Sequence, residues 1–367
     1  MTLNPQTVKR IKAFRRNRLA WWAFIAFAVI FAFCMCADWV CPCDPQAVVS
    51  QQELEPYREL VVERTYEVRT ARYSVDGRGN VFDYEGPAGV LENIDELKAD
   101  YRIVRTPRSG YTRVFLEPVS SPAATERVLP PKAVSFPFRP VAGHPFGIDA
   151  GGRDVYARVI HGLRISLVFG LALALFGMLF GLAVGAVEGY FGGKADILLQ
   201  RLTEIWSALP FLYVMIFIGS TVGRSFTVLL VCYAIFNWIA VSYYMRAEFL
   251  RLRSRTFVEA AKVQGVSTMR IIFVHILPNA LTPLVTLFPF LLMGAIGSLA
   301  ALDFLGFGLP PMTPSCGELL AEAQQFRGAW WLVLFPSLAL FIVMLLAVLV
   351  GEGLRDAFDP RQKLKLE

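Results

Sequence analysis

The chain has 367 residues, of which 55% are hydrophobic and only 18% are charged. A soluble globular domain has about 45 to 50% apolar residues even with Gly counted, and about 25% charged residues. Because the excess of apolar side chains must be covered by something other than water, this composition excludes an ordinary water-soluble enzyme and an intrinsically disordered chain. The formal net charge is +6. Only the positions of the basic residues decide whether this charge serves a nucleic acid or a membrane surface.

Six apolar stretches are long enough to cross a bilayer, which requires about 20 largely apolar residues. They occupy residues 20–40, 164–190, 204–222, 226–245, 281–302 and 330–351. In the second stretch, Gly177, Gly181 and Gly185 recur every four residues, which leaves a smooth stripe where another helix can approach closely. The sequence therefore predicts an all-α polytopic membrane protein with six transmembrane helices.

Basic residues flank the predicted helices mainly on one side of the membrane. Six Lys and Arg residues lie between residues 9 and 18, ahead of the first helix, and six more lie between residues 246 and 270, after the fourth. The positive-inside rule makes both segments cytoplasmic, together with both ends of the chain. Since topology and anionic lipid headgroups account for the basic excess, we expect membrane lipid and no nucleic acid as a partner.

Residues 44–145 separate the first two helices and differ in composition from the rest of the chain. β-Branched and aromatic residues alternate with charged ones over residues 61–75, and Asp76-Gly77 and a second such run at 80–84 follow. This pattern predicts a small β-rich extracytoplasmic insertion with hairpin turns, with a short helix over residues 91–101. Seven prolines between residues 117 and 145 predict an extended connector without regular structure. For the insertion as a whole, a docking surface for an external partner and a mere spacer are both open roles.

The expected organisation thus has three parts. Residues 1–43 hold the basic N-terminus and the first helix, 44–145 the insertion and its connector, and 146–367 the remaining five helices. Cys41 and Cys43 lie at the outer face. Two free thiols are favoured there over a disulfide, because so short a ring is strained.

The segment H-P-F-G-I-D-A-G-G-R-D-V-Y-A-R-V-I-H-G-L-R-I-S-L, residues 144–167, has a glycine-rich turn followed by a short amphipathic helix at the outer membrane interface. It resembles the segment before the second helix in permease subunits of dipeptide, oligopeptide and nickel ABC importers, with Ile148 in place of the usual Thr. Three further stretches resemble the same family: G-Y-F-G-G-K-A-D at 189–196, D-F-L-G-F-G-L-P-P-M-T-P-S-C-G-E-L-L at 303–320 and G-E-G-L-R-D-A-F-D-P-R at 351–361. R-A-E-F-L-R from Arg246 and H-I-L-P-N-A from His275 are most similar to the second, C-type permease of microcin C type oligopeptide importers.

The stretch E-A-A-K-V-Q-G, residues 259–265, resembles the cytoplasmic EAA loop of these permeases, a short coupling helix that fits into a cleft on the ATPase. The residues themselves suit such a contact. Small alanines allow close approach of another protein, Glu259 offers a charge, and Gly265 can take the left-handed conformation that ends a helix. By this resemblance the ATPase-coupling residues are Glu259, Ala260, Ala261, Gly265 and Pro278, the last of which limits the start of the next membrane helix.

The sequence contains no phosphate-binding loop of the form G-x-x-x-x-G-K-[ST]. We therefore expect no enzymatic activity on this chain, and we expect ATP and Mg²⁺ on separate ATPase subunits. No cofactor or metal site is expected either, because His144 and His161 are predicted outside the membrane and His275 inside.

Small or polar residues within or at the ends of the helices are candidates for a translocation path. A wide, weakly polar path lets many different peptide side chains pass without tight binding. The candidates are Asn237, Gly294, Gly297, Ser298 and Asp303.

The resemblance implies a type I ABC importer transmembrane fold in the bacterial cytoplasmic (inner) membrane. The chain would form half of a translocation path for oligopeptides or peptide-like compounds. The implied partners are a second permease subunit, two ATPase subunits and an extracytoplasmic peptide-binding protein. Two alternatives stay open: a permease for nickel or another small solute, and a membrane-anchored sensor whose outer subdomain binds a ligand.

Overall fold

The computed structural model describes residues 5–41, 43–57, 62–65, 71–85, 101–118, 125–128 and 134–358. The chain divides into two compact units. Met1–Val49 and Ser135–Glu367 form the helical unit, and Ser50–Val134 form the inserted unit.

The inserted unit contains two antiparallel sheets. Its described strands are β1 (Val62–Thr65), β2 (Ala71–Asp76), β3 (Val81–Glu85), β4 (Tyr101–Arg108), β5 (Tyr111–Pro118) and β6 (Thr125–Val128). Four of them form one sheet in the spatial order β3-β2-β5-β4, and β1 pairs with β6. Val114 and Leu116 of the central strand β5 are buried, whereas most of the other described side chains of this sheet are exposed or half-buried. The predicted β-rich insertion is thus present among the described residues, as two small sheets.

The turn between β2 and β3 is fixed by Asp76. Its side chain accepts hydrogen bonds from the backbone N–H groups of Asn80 (2.9 Å) and Arg78 (2.8 Å). These bonds lower the pKa of Asp76 because they favour its ionised form, and the bond from the Asn80 backbone N–H has the largest effect. The predicted hairpin at Asp76-Gly77 is therefore present, as an Asx-type turn.

The predicted connector does contain regular structure. β5 extends to Pro118, and β6 lies within the proline-rich stretch and pairs antiparallel with β1. Thr125–Val128 contains no proline, so its N–H groups can take part in strand pairing although prolines lie on both sides. The expectation of an extended connector over residues 117–145 is wrong for these strands. The helix predicted at 91–101 lies outside the described residues except for Tyr101, which begins β4.

Helices build the larger unit, and several of them join into longer segments. Its described α-helices are α1 (Pro5–Arg16), α2 (Arg18–Met35), α3 (Ala37–Val40), α4 (Val155–Phe191), α5 (Gly193–Ser207), α6 (Phe211–Thr221), α7 (Phe226–Asn237), α8 (Ile239–Arg253), α9 (Thr256–Val263), α10 (Thr268–Arg270), α11 (Leu277–Phe304), α12 (Cys316–Gln325) and α13 (Trp330–Phe358). Within this described part, five segments are long and apolar enough to cross a membrane, or six if α5 and α6 form one bent span. The chain is therefore a polytopic helical membrane protein, and the predicted number of six depends on this bent pair.

Two predicted spans differ in shape from the structure. The short interfacial helix expected before the second span is not separate, because α4 runs unbroken for 37 residues from Val155. Asp154 caps its start by accepting a hydrogen bond from the Ala157 N–H at 3.2 Å. At a rise of 1.5 Å per residue, α4 is about 55 Å long and extends well beyond a hydrocarbon core of about 30 Å. The third predicted span is instead two helices, α5 and α6, bent by 67° at a short break whose last residue is Pro210.

The glycine stripe of α4 packs against α7 and α8. A Cβ atom built at Gly181 would lie 2.6 Å from the Cβ of Val241, and one at Gly185 would lie 2.5 Å from the carbonyl oxygen of Ser242. No real side chain fits in that space, so only glycine allows the two helices to come this close. The predicted packing role of Gly177, Gly181 and Gly185 is confirmed.

A π-helical stretch, Ile271–Ile276, joins α10 to α11. At its end the Leu277 N–H donates to the carbonyl of Ile272, five residues back. Pro278 follows at the start of α11; it has no N–H, and its ring would clash with the carbonyl four residues earlier in a regular α-helix. The wider π-turn accommodates this ring. Pro278 therefore lies in the first turn of α11, as expected, although α10 and the π-helical stretch continue the helical segment back to Thr268.

Candidate functional site

The segment that resembles the coupling loop forms a helix, α9, directly after α8. Gly265 follows its end with a φ of 73°, in the left-handed region. The Gly265 N–H donates to the carbonyl of Lys262 (3.0 Å), and the Val266 N–H donates to that of Ala261 (3.1 Å). This pair of bonds is the Schellman arrangement, which requires a residue that tolerates positive φ. The E-A-A-K-V-Q-G stretch thus encodes a short helix with a fixed end.

One face of α9 belongs to the core of this chain. Val258 is fully buried and Ala261 is only 5% exposed. Both lie in an apolar cluster with Phe249 and Leu252 of α8 and Ile271 of the π-helical stretch. The expectation that the Ala261 side chain itself meets an ATPase does not fit this position, because its neighbours come from its own chain.

The opposite face of α9 is exposed. Glu259 and Ala260 lie on it, and Val263 is 89% exposed. Phe257 and, beyond the turn, Met269 are also exposed. Apolar side chains exposed together near one helix end favour a contact with another protein. Sequence reasoning found Glu259 and Ala260 through the motif but missed Phe257 and Val263, whose position on the helix surface was the available signal.

Four of the predicted path residues lie on α7 and α11 and differ in their surroundings. Asn237 donates from Nδ2 to the carbonyl of Leu173 at 3.0 Å, so its amide ties α7 to α4. Gly294 is exposed, and a Cβ atom built there would meet no atom within 4 Å. At Gly297 the same atom would lie 3.2 Å from Cε of Met344 on α13, which indicates helix packing. Ser298 is half-buried.

Asp303, the fifth predicted path residue, is buried at the end of α11. Its carboxylate accepts hydrogen bonds from the Leu309 N–H (2.7 Å) and from the Ser315 hydroxyl. Gly308 and Gly317 pass so close that a Cβ atom on either would collide with Asp303. These contacts join α11 to α12. They explain why an aspartate is buried here without assigning it a role in transport.

A network of five charged side chains links the start of α4 to α12, and sequence reasoning missed it; Asp149, Arg153 and Arg158 are buried, and the two glutamates are half-buried. Arg158 is fully buried and binds Asp149, Glu318 and Glu322, the last at 3.1 Å. Arg153 adds bonds to Asp149 (2.8 Å) and Glu322 (3.2 Å). The arginines are close in sequence to Asp149, but the two glutamates follow about 160 residues later. No local pattern could therefore have shown the complete network.

Removing these charged side chains from water costs free energy. Burial raises the pKa of Glu322, and the neighbouring Arg158 guanidinium opposes this rise. Within the described part of the chain, Nε of Arg158 and Oε2 of Glu322 have no hydrogen-bond partner. Removing one partner of a buried ion pair costs about 3–5 kcal/mol, because the remaining charge stays buried. The contact between α12 and the start of α4 is therefore sensitive to the loss of a buried partner such as Arg158.

These features define a class: a polytopic helical membrane protein with a short, partly exposed helix between two membrane-crossing segments. Residues 175–364 match the family described as binding-protein-dependent transport system inner membrane component. Residues 8–59 match the N-terminal transmembrane domain of oligopeptide transport permease C. The first match covers more than half of the chain, so the chain belongs to this family of ABC importer permeases.

Individual relatives agree with this membership. The chain is 35% identical to the peptidoglycan transport system permease protein YejE of Agrobacterium fabrum, over 99% of this chain and 95% of that protein. It is 35% identical to the inner membrane ABC transporter permease protein YejE of Escherichia coli, over 98% of each. The dipeptide transport system permease protein DppC of Alkalihalophilus pseudofirmus is 38% identical over 61% of this chain and 74% of that protein. The resemblance to peptide importer permeases is confirmed.

Proposed function

We propose that this chain forms half of the translocation path of an ATP-driven importer for oligopeptides or peptide-like compounds. The observation that carries the proposal is α9, a helix with an exposed face and a glycine-fixed end, in a chain that belongs to a family of importer permeases. Peptides are the proposed cargo because the match at residues 8–59 and the relative DppC are named for oligopeptide and dipeptide transport. A peptide conjugate of the microcin C type is one such cargo.

ATP binding and hydrolysis take place, in this proposal, on two separate ATPase subunits. One of them receives the exposed face of α9, where Glu259 and Ala260 lie beside Phe257 and Val263. Because Val258 anchors the buried face of α9 to α8 and the π-helical stretch, a push on α9 moves these elements together. Such a rigid-body displacement opens and closes the path across the membrane.

The remaining assembly follows from the same reasoning. A second permease subunit supplies the other half of the path, and an extracytoplasmic peptide-binding protein delivers the cargo. The chain lies in the bacterial inner membrane with both ends in the cytoplasm, as the distribution of basic residues indicates. On this chain, Gly294 of α11 is the best placed path residue. The other candidates, Asn237, Gly297, Ser298 and Asp303, have packing or hydrogen-bonding partners within the chain.

Uptake measurements in the host bacterium test the proposal. A strain without this chain is compared with its parent for uptake of a radiolabelled oligopeptide, sensitivity to a toxic peptide conjugate and uptake of radioactive nickel. Loss of peptide uptake and of toxicity, with normal nickel uptake, is the expected result. Normal peptide uptake with lost nickel uptake would support the small-solute permease, and normal uptake of both would support the sensor.

A further inference from the structure

The turn between α4 and α5 contacts the helix that leads into α9. We call residues 188–196 the α4–α5 turn; it contains the G-Y-F-G-G-K-A-D motif. Asp196 accepts two hydrogen bonds from Arg246 of α8, with Nε–Oδ1 at 2.6 Å and Nη2–Oδ2 at 2.8 Å. The Arg246 and Asp196 side chains are only 23% and 13% exposed. A shielded two-point, charge-assisted bond of this kind fixes orientation as well as distance.

A second contact lies two turns further along α8. Nη1 of Arg253 donates to the carbonyl oxygen of Tyr190 at 3.1 Å. This carbonyl belongs to the last turn of α4, where the helix itself provides no N–H partner. Gly192 has a φ of 63°, and a Cβ atom there would collide with the Arg253 guanidinium. The glycine therefore ends α4 and also leaves the space that Arg253 occupies.

A third contact reaches α9 itself. Nζ of Lys262 lies 5.9 Å from the centre of the Tyr190 ring, within the range of a cation–π interaction. Gly189 brings the end of α4 against α8, since a Cβ atom there would lie 2.6 Å from the Cβ of Phe249. The α4–α5 turn thus holds α8 at several points and α9 at one.

We propose that the α4–α5 turn sets the position of the coupling helix, with Asp196 and Tyr190 as positioning residues that act through Arg246, Arg253 and Lys262. The role of α9 as a coupling helix rests on the proposed function. Only Ser254 and Arg255 separate α8 from α9, and this short break does not continue the α-helix. The angle between the two helices therefore depends on what packs against both, and the α4–α5 turn is such an element. It also transmits a push on α9 to α4 and α5.

The first test measures position within the chain and does not depend on transport. Spin labels are placed on Lys194→Cys and Gln264→Cys, two exposed positions, after Cys36 and Cys43 are replaced by Ser. Asp196→Ala and Arg246→Ala should each broaden the measured distance distribution in the purified complex. The double variant should broaden it no further than either single change, because residues that act as one pair are not additive.

Arg251→Ala is the matched control on the same helix. Arg251 bonds to Glu248 of α8 itself, at 3.1 Å, and not to the α4–α5 turn, so the distribution should not change. If Asp196→Ala lowers the amount of chain, Asp196→Asn replaces it, since it keeps the shape and removes the charge. An unchanged distribution in both the Asp196 and the Arg246 variant would refute the proposal.

The second test measures peptide imported per ATP hydrolysed by the complex in proteoliposomes. Asp196→Ala and Arg246→Ala should lower this ratio by about fivefold or more, the lower end of typical coupling between sites. The amount of chain and its co-purification with the ATPases should stay normal, which a purely structural defect would not allow. A broadened distribution with an unchanged ratio would show that the turn positions α9 without affecting transport, and would overturn its role in transmitting a push on α9. If the unsubstituted complex imports no peptide, the proposed function fails, while the distance test still decides whether the turn positions α9.

Discussion

Gly265 allows the coupling helix to be perturbed through its backbone alone. A Cβ atom built there meets no atom within 4 Å, so a substitution creates no collision. The obstacle is the φ of 73°, because the left-handed conformation costs an L-residue roughly 1–2 kcal/mol and is least accessible to a β-branched one. Gly265→Val should therefore weaken the end of α9 by about 2 kcal/mol, which lowers the population of the native turn roughly thirtyfold relative to its open form.

Hydrogen exchange and transport together measure this effect. The amide hydrogens of residues 265 and 266 should exchange faster in Gly265→Val, since they donate the two bonds that end α9. ATPase co-purification and peptide uptake should fall, while the amount of chain in the membrane stays normal. Gly265→Asn is the matched control, because Asn visits the left-handed region more readily than Val and should come close to the unsubstituted chain.

Two outcomes would contradict this reasoning in different ways. Unchanged exchange of both amides in Gly265→Val would refute the conformational argument, because the native turn would then tolerate a β-branched residue. Faster exchange with normal peptide uptake would show that the end of α9 opens without consequence for transport. In that case α9 would be a surface helix without a role in coupling.

Three further predictions concern packing, charge and orientation. Ala261→Phe overpacks the core at a cost of about 1–3 kcal/mol and should lower the amount of chain on immunoblots. Ala260→Phe, at an exposed position, should lower only co-purification of the ATPases. Equal amounts of the two variant chains would contradict this prediction. Arg158→Met should lower the unfolding temperature in detergent, as expected for a loss of about 3–5 kcal/mol in the free energy of unfolding. Arg201→Ala, which breaks an exposed ion pair, should leave that temperature unchanged. Equal unfolding temperatures of the two variants would contradict the importance of the Arg158 network for stability. Reporter fusions after residues 19, 100, 265 and 360 should indicate inside, outside, inside and inside, and an outside signal at 265 would overturn the orientation.

Features that depend on a local property could be predicted from the sequence. The glycine stripe of α4 follows from spacing, since glycines four residues apart must lie on one helix face. The end of α9 follows from the backbone freedom of Gly265, and the structure gives it a φ of 73°. Which face of α9 is buried could not be predicted in the same way. Ala260 and Ala261 are identical in type, and only the packing of Ala261 with Ile271 and Phe249 separates them.

The start of α4 shows why hydropathy cannot predict ion pairs between residues that are distant in sequence. Arg158, His161 and Arg164 make the first three turns of α4 look too polar for the membrane helix, so the predicted span begins at residue 164 and not at Val155. In the structure the Arg164 guanidinium donates to the carboxylate of Asp38 at 2.7 Å, across 126 positions of sequence. Arg158 is neutralised by carboxylates in the same way, two of them about 160 positions later in the sequence. Hydropathy measures each side chain as if it were alone in water. A helix whose charges are paired by other elements can therefore continue where hydropathy predicts that it stops.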